Sequence, residues 1–141
     1  RTGRAAGRTA MTGDWAGPAR GGADRRLQTG RIGEQHAAGM LEARGAVVIS
    51  RNWRCPVGEL DLVVLDSAGR LRFVEVRTRT GTGFGSPAES VTGKKRRRLR
   101  LLAAHWLAEH PGRWRQVCFD VVGVDLADPS RPRLELFEDV M

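Results

Sequence analysis

Glu59-Leu60-Asp61-Leu62-Val63-Val64-Leu65, the bridge Asp66-Ser67-Ala68-Gly69-Arg70, and Leu71-Arg72-Phe73-Val74-Glu75-Val76-Arg77-Thr78 decide the fold. Two apolar, β-prone runs flanking an Asp/Ser/Gly segment read as a β-hairpin. Centring it on Ala68 pairs Leu60 with Val76 and Leu62 with Val74, which gathers apolar side chains on one face. A slip by two would preserve the faces, so the face assignment is firmer than the pairing. The other face then sets Asp61 against Glu75 and Glu59 against Arg77. Directly opposed Cβ atoms lie about 4.5–5.5 Å apart, where like charges repel. Such a carboxylate pair calls for a divalent ion, for one shared proton, or for neutralisation by Arg77 and Arg79 on a solvated face.

Working outward, Ile32, His36, Met40 and Ala43 share one helical stripe, widened by Ala37 and Leu41, and Gly45 follows as a stop. This predicts a helix over about 31–44 and a strand over Ala46–Asn52. Glu34 borders the apolar stripe beside Leu41. From there its side chain can reach over the sheet edge and complete a three-carboxylate site with Asp61 and Glu75. Beyond the hairpin, Ser86-Pro87-Ala88-Glu89 is a capping box with proline at the first helical position. Thr92-Gly93 can recap a second helix running to His110, and Gln116–Val124 and Arg133–Phe137 read as strands. The order is α-β-β-β-α-β-β, an α/β domain with one core.

Charge is unevenly distributed along the 141 residues, whose formal net charge is +8. Residues 1–31 carry seven arginines against Asp14 and Asp24, and Lys94–Arg100 adds six positive charges in seven residues, leaving −3 for the rest. A mildly acidic domain with two basic appendages points to a polyanionic partner. Nineteen of the first thirty residues are Gly, Arg or Ala, without an apolar period, so 1–30 is expected to be a disordered arm and 31–141 the folded domain. Met11 is a candidate start, with residues 1–10 an upstream extension or cloning remnant.

Several classes are excluded. No apolar stretch approaches the roughly 18–20 residues that cross a bilayer, and no secretory signal is read, so a cytoplasmic protein without a membrane partner is expected. Cys55 and Cys118 are too few for a disulfide framework or a four-ligand zinc site. His36, His105 and His110 lack metal-ligand spacing. Trp53, beside Arg51 and Arg54, reads either as a packing residue or as a platform for an unpaired base. Asp120 reads as structural. Lys94, Lys95, Arg96, Arg97, Arg98 and Arg100 would coat the exposed turns of the second helix and contact phosphates; if all six did so, log K would fall against log salt with a slope near −5.

Gly33-Glu34, Arg51-Asn52, Gly58-Glu59-Leu60-Asp61-Leu62 and Phe73-Val74-Glu75-Val76-Arg77-Thr78-Arg79, with Val91-Thr92, Lys95 and Phe119-Asp120-Val121-Val122, resemble the YraN family of predicted endonucleases. The resemblance covers about residues 30–140. That family is similar to the PD-(D/E)xK nuclease superfamily and to archaeal Holliday-junction resolvases. The resemblance implies a restriction-endonuclease-like αβββαβ core, a mixed central sheet flanked by helices. It implies Asp61 and Glu75 as ligands of Mg²⁺ or Mn²⁺, the main-chain carbonyl of Val76 as a further ligand, and Glu34 as the first-helix acid. It also implies nucleic acid as partner, DNA before RNA, and a possible homodimer. Arg77 stands where the superfamily carries lysine. Arginine supplies charge and bidentate hydrogen bonds but no titrating base, which leaves Lys95 as the candidate ammonium.

Two functions follow as expectations: a metal-dependent endonuclease acting on structured or branched DNA, and a catalytically silent nucleic-acid-binding module on a nuclease fold. A protein-interaction domain rests on little beyond small size.

Overall fold

A computed structural model describes residues 18–81 and 92–141, with side chains from Asp24 onward. The elements are α1 (Pro18–Ala43), β1 (Val47–Cys55), β2 (Gly58–Leu65), β3 (Leu71–Arg79), α2 (Gly93–Glu109), β4 (Val117–Asp125) and β5 (Arg133–Phe137). The five strands form one sheet in the order β1-β2-β3-β4-β5. Neighbours are antiparallel except β3 and β4, which run parallel from Leu71↔Val117 to Arg79↔Asp125. A parallel pair needs a crossover connection, and α2 lies within it. α1 covers one face of the sheet through Ala37, Ala38 and Leu41, packed on Leu62, Val64, Val74, Val122 and Val124. α2 covers the other through Leu102, Ala103 and Trp106, packed on Leu60, Val63, Leu71 and Phe73. This is the expected αβββαβ core with a mixed sheet between helices.

Local signals explain the element ends. Gly45 has φ +96°, and the N–H groups of Gly45 and Ala46 donate to the carbonyls of Glu42 and Leu41 at 2.9 and 3.0 Å. These two bonds form the Schellman stop that a glycine permits. The hairpin turn is held by Asp66, whose Oδ1 accepts from the backbone N–H groups of Ala68 and Arg70 at 2.9 Å each. Thr92 caps α2, its hydroxyl accepting from the N–H of Lys95 at 3.3 Å. The capping box at Ser86–Glu89 lies outside the described residues.

Three expectations change. α1 begins at Pro18, so residues 18–30, expected to be disordered, extend the helix; 1–17 lie outside the described residues. Proline suits a first helical position, and Ala, Arg, Leu and Gln are good helix formers even where little is buried. The hairpin register holds for Leu65↔Leu71 through Leu62↔Val74, but the ladder ends there, before Asp61/Glu75 and Leu60/Val76. Leu60 also leaves the face of Leu62 and joins the α2 side with Val63 and Phe73. The cause lies at Asp61: its Oδ2 accepts from the backbone N–H of Val76 at 2.8 Å, so a side chain satisfies a donor where strand pairing stops. On the other flank, the β1–β2 register shifts between Val48 and Ser50, and Asn52, between the pairs Arg51↔Leu62 and Trp53↔Leu60, has φ +48°. Asparagine tolerates that conformation better than most side chains. The alternation therefore breaks at Asp61.

Sequence reading left Arg72 on a strand without a role. It is buried with Asp120, their side chains 5% and 0% exposed, at 2.9 Å, and it also reaches Asp66 at 2.8 Å. Asp120 is structural, as expected.

Candidate functional site

Divergence of β2 and β3 opens a cavity of about 380 Å³ at the end of the sheet away from the hairpin turn. Asp61, Glu75, Val76 and Arg77 line it from the strands, and Lys95 and Arg98 line it from the first turns of α2. Thr92 fixes where α2 starts and thereby where Lys95 enters. Gly58 allows Arg98 to lie over the start of β2, because a Cβ there would stand 2.9 Å from its guanidinium. Asp61 and Glu75, the candidate catalytic cations Arg77 and Lys95, and Arg98 thus share one space, with Glu59 at its edge. Lys94, Arg96, Arg97 and Arg100 are exposed elsewhere on α2.

The electrostatics are asymmetric. Burial pushes the Asp61 carboxyl up to about 7; the Val76 N–H opposes this, while Glu34, Glu75 and Glu59 add to it. Glu75 instead pairs with Arg77 at 2.7 Å. Arg79 pairs with Asp125 at 3.7 Å and Glu59 with Arg54 at 3.9 Å. Neutralisation by arginine therefore serves Glu75 and Glu59, and among the described residues no cation pairs with Asp61. Arg77 Nε is buried without a hydrogen-bond partner among the described residues.

Glu34 stands next door. Its Oε1 accepts from Asn52 Nδ2 at 2.8 Å, and its pKa is raised, first by burial and then by Glu59, against Asn52 and Arg31. It lines adjoining clefts with Arg31, Arg51 and Asn52 rather than the cavity of Asp61 and Glu75. Among the described residues, no three His, Cys, Asp or Glu side chains converge closely enough to hold an ion. Gly33 explains the approach of α1: a Cβ there would collide with the Thr78 side chain, so glycine lets the helix rest on β3 and brings Glu34 near the site.

The donor chemistry fits a hard divalent ion. Mg²⁺ takes one or two carboxylates and keeps several waters. Asp61 and Glu75 would supply those carboxylates, and positive charge would offset the burial and the lesser like-charge repulsion that raise Asp61. Sequence reasoning quoted Asn52 within the resemblance but gave it no role, although an asparagine in a strand is a signal for a left-handed residue. It also missed Glu59 as the side chain shared by this cavity and the larger cleft beside it. Trp53 is half-buried, packed on the α2-side cluster and edge-on to His110 with ring centres 6.4 Å apart, and it is also among the residues that line that larger cleft.

Residues 33–124, from the glycine on Thr78 to the strand beside β3, match the family model described as uncharacterised protein family UPF0102. A UPF0102 protein of Nocardia farcinica is 51% identical over 106 residues, 75% of this chain and 83% of the relative. One of Frankia alni is 54% identical over 106 residues, 75% and 88% respectively. One of Mycolicibacterium gilvum is 48% identical over 118 residues, 83% and 96%. The chain belongs to the UPF0102 family.

Proposed function

We propose that this protein is a Mg²⁺- or Mn²⁺-dependent endonuclease acting on structured or branched DNA. The observation that carries the reading is the shared cavity of Asp61, Glu75, Arg77 and Lys95 beneath a basic helix. Asp61 and Glu75 would hold the ion, with the Val76 carbonyl as a further ligand and Glu34 as an outlying acid. The ion, when bound, supplies Lewis acidity to a phosphate and acidifies its attacking water. Arg77 and Lys95 would neutralise charge developing on the phosphate. Lys94, Arg96, Arg97, Arg98 and Arg100 would hold the flanking backbone. Because Arg77 stands where the superfamily carries lysine, Lys95 is the side chain that would bring a lysine ammonium to the same cavity.

Incubating the protein with fork, junction and single-stranded DNA in Mg²⁺ or Mn²⁺ tests this. Cleavage lost in Asp61→Asn and Glu75→Gln is expected; no cleavage of any substrate, or an active Asp61→Asn, overturns it. One observation favours a second reading, a silent nucleic-acid-binding module: Arg77 already neutralises Glu75 at 2.7 Å. Calorimetric titration separates them, since a silent module shows no Mn²⁺ site that Glu75→Gln abolishes.

A further inference from the structure

We infer that the cleft between α1 and β1 is a binding site for an unpaired nucleic-acid strand and leads that strand past Glu59 to the cavity of Asp61 and Glu75. The delivery rests on the nuclease reading; the binding itself does not. The cleft measures about 800 Å³, within the range of roughly 300–1,000 Å³ in which ligand pockets fall. Arg26 and Arg31 line it from α1, and Arg51 and Arg54 from β1. Among the described residues, Glu34 and Glu59 line the cleft against these four guanidinium groups, and Glu42 pairs with Arg51 at 3.8 Å from outside it. Glu34 is held by Asn52, and Glu59 is near Arg54. The surplus is positive, and guanidinium matches phosphate geometry bidentately.

An aromatic ring sets the class of polyanion. Trp53 lies on the wall between Arg51 and Arg54, its ring only partly covered by the core. A duplex would offer this wall phosphates alone, because its bases are already stacked on one another. An unpaired strand offers phosphates to the arginines and a base to the ring, the combination that single-strand grooves use. Continuity with the acid cavity comes from Glu59, which lines both spaces. Gly30 lines the cleft at an open point of the helical wall, where a Cβ meets nothing within 4 Å.

That opening supplies the test. Gly30→Phe projects a ring into the cleft from a helical position where glycine is the poorer helix former. Binding of a labelled oligothymidylate and of a blunt duplex is measured by fluorescence anisotropy in EDTA. Gly30→Phe is expected to weaken the single strand at least about fivefold, the smaller end of a lost stacking contact, and to leave the duplex unchanged. Arg26→Gln/Arg31→Gln, at exposed positions, should lower the single-strand salt slope by about 1.4. Wild-type affinity and slope in these variants, or equal weakening of single strand and duplex by Gly30→Phe, would overturn the inference. So would polyglutamate competing as well as the oligonucleotide. Without divalent ion no cleavage is involved, so a failure of the nuclease reading leaves these outcomes unaffected.

Discussion

Asp61→Asn should make the metal-free protein more stable while removing its ability to bind a divalent ion. The Asp61 carboxyl is raised to about 7 in the folded state from an ordinary 3.8, first by burial and then by Glu34, Glu75 and Glu59. The folded state therefore keeps a proton that the unfolded chain releases. Stability falls as pH rises from about 4 to about 7 and stays level above. At about 1.4 kcal/mol per pH unit, the gap sets a ceiling on the order of 4 kcal/mol. Residual hydration of the open cavity reduces what a melt reads to about 1–3 kcal/mol. Asparagine removes the ionisation yet keeps an oxygen to accept the Val76 N–H that Asp61 holds at 2.8 Å.

Urea melts in EDTA at pH 5 and pH 8 measure the effect. Wild type should lose stability relative to Asp61→Asn between these values, and the variant should be the more stable at pH 8. Adding Mn²⁺ at about 100 times its dissociation constant should return about 2.7 kcal/mol to wild type and nothing to the variant. If Asp61→Asn is equally or less stable at pH 8, or if Mn²⁺ stabilises both alike, the account of Asp61 as an unneutralised carboxylate awaiting a cation is wrong.

Arg72→Met should cost about 3–5 kcal/mol in a urea melt, because it strands Asp120, whose side chain is 0% exposed, without its cation; Arg72→Met/Asp120→Leu should recover most of that. Gly33→Ala should destabilise by about 1–2 kcal/mol, since overpacking against Thr78 outweighs the gain in helix propensity. Gly39→Ala on the same helix, where a Cβ meets nothing within 4 Å, should instead raise the melting temperature. Asp66 is pulled down to about 2, burial opposing but the Arg70 N–H, the Arg72 guanidinium, the Ala68 N–H and the Arg70 side chain prevailing. Its contribution is present above about pH 4 and lost as pH falls towards 2, so acid titration followed by circular dichroism should show that loss in wild type and not in Asp66→Asn.

What the sequence disclosed was local. The turn at Asp66–Arg70, the stop at Gly45 and the cap at Thr92 each depend on residues within a few positions, and all three stand where the chain pattern puts them. The acid site was legible as residue types but not as geometry. Simple alternation set Asp61 opposite Glu75 in a continuous ladder. The structure ends that ladder after Leu62↔Val74, where the Asp61 carboxylate takes the Val76 N–H, and on the neighbouring strand Asn52 adopts φ +48°. Neither event has a period. Arg72 escaped for a different reason: arginine on a strand reads as surface, and its partner Asp120 is 48 residues away. The helical start at Pro18 escaped because a glycine- and arginine-rich segment without an apolar stripe carries no packing signal.

Arg77 is the residue on which the two functional readings divide, and its surroundings bear on the choice. A lysine in the sheet would offer both a permanent neighbouring charge and an exchangeable proton from one backbone position. Arg77 offers only the charge, and directs it at Glu75. Lys95 enters the same cavity from α2, anchored by the Thr92 cap, and brings the lysine ammonium that the sheet position lacks. The two roles are therefore available from different elements, at the cost of depending on how α2 is set against the sheet. That packing runs through Leu102, Ala103 and Trp106 onto Leu60, next to Asp61, and Phe73, two residues before Glu75. The displacement of Leu60 to the α2 face, which breaks the hairpin pattern, joins the strand bearing Asp61 to the helix bearing Lys95. A nuclease assembled this way would tolerate arginine at position 77 only while that apolar joint holds the helix in register with the sheet.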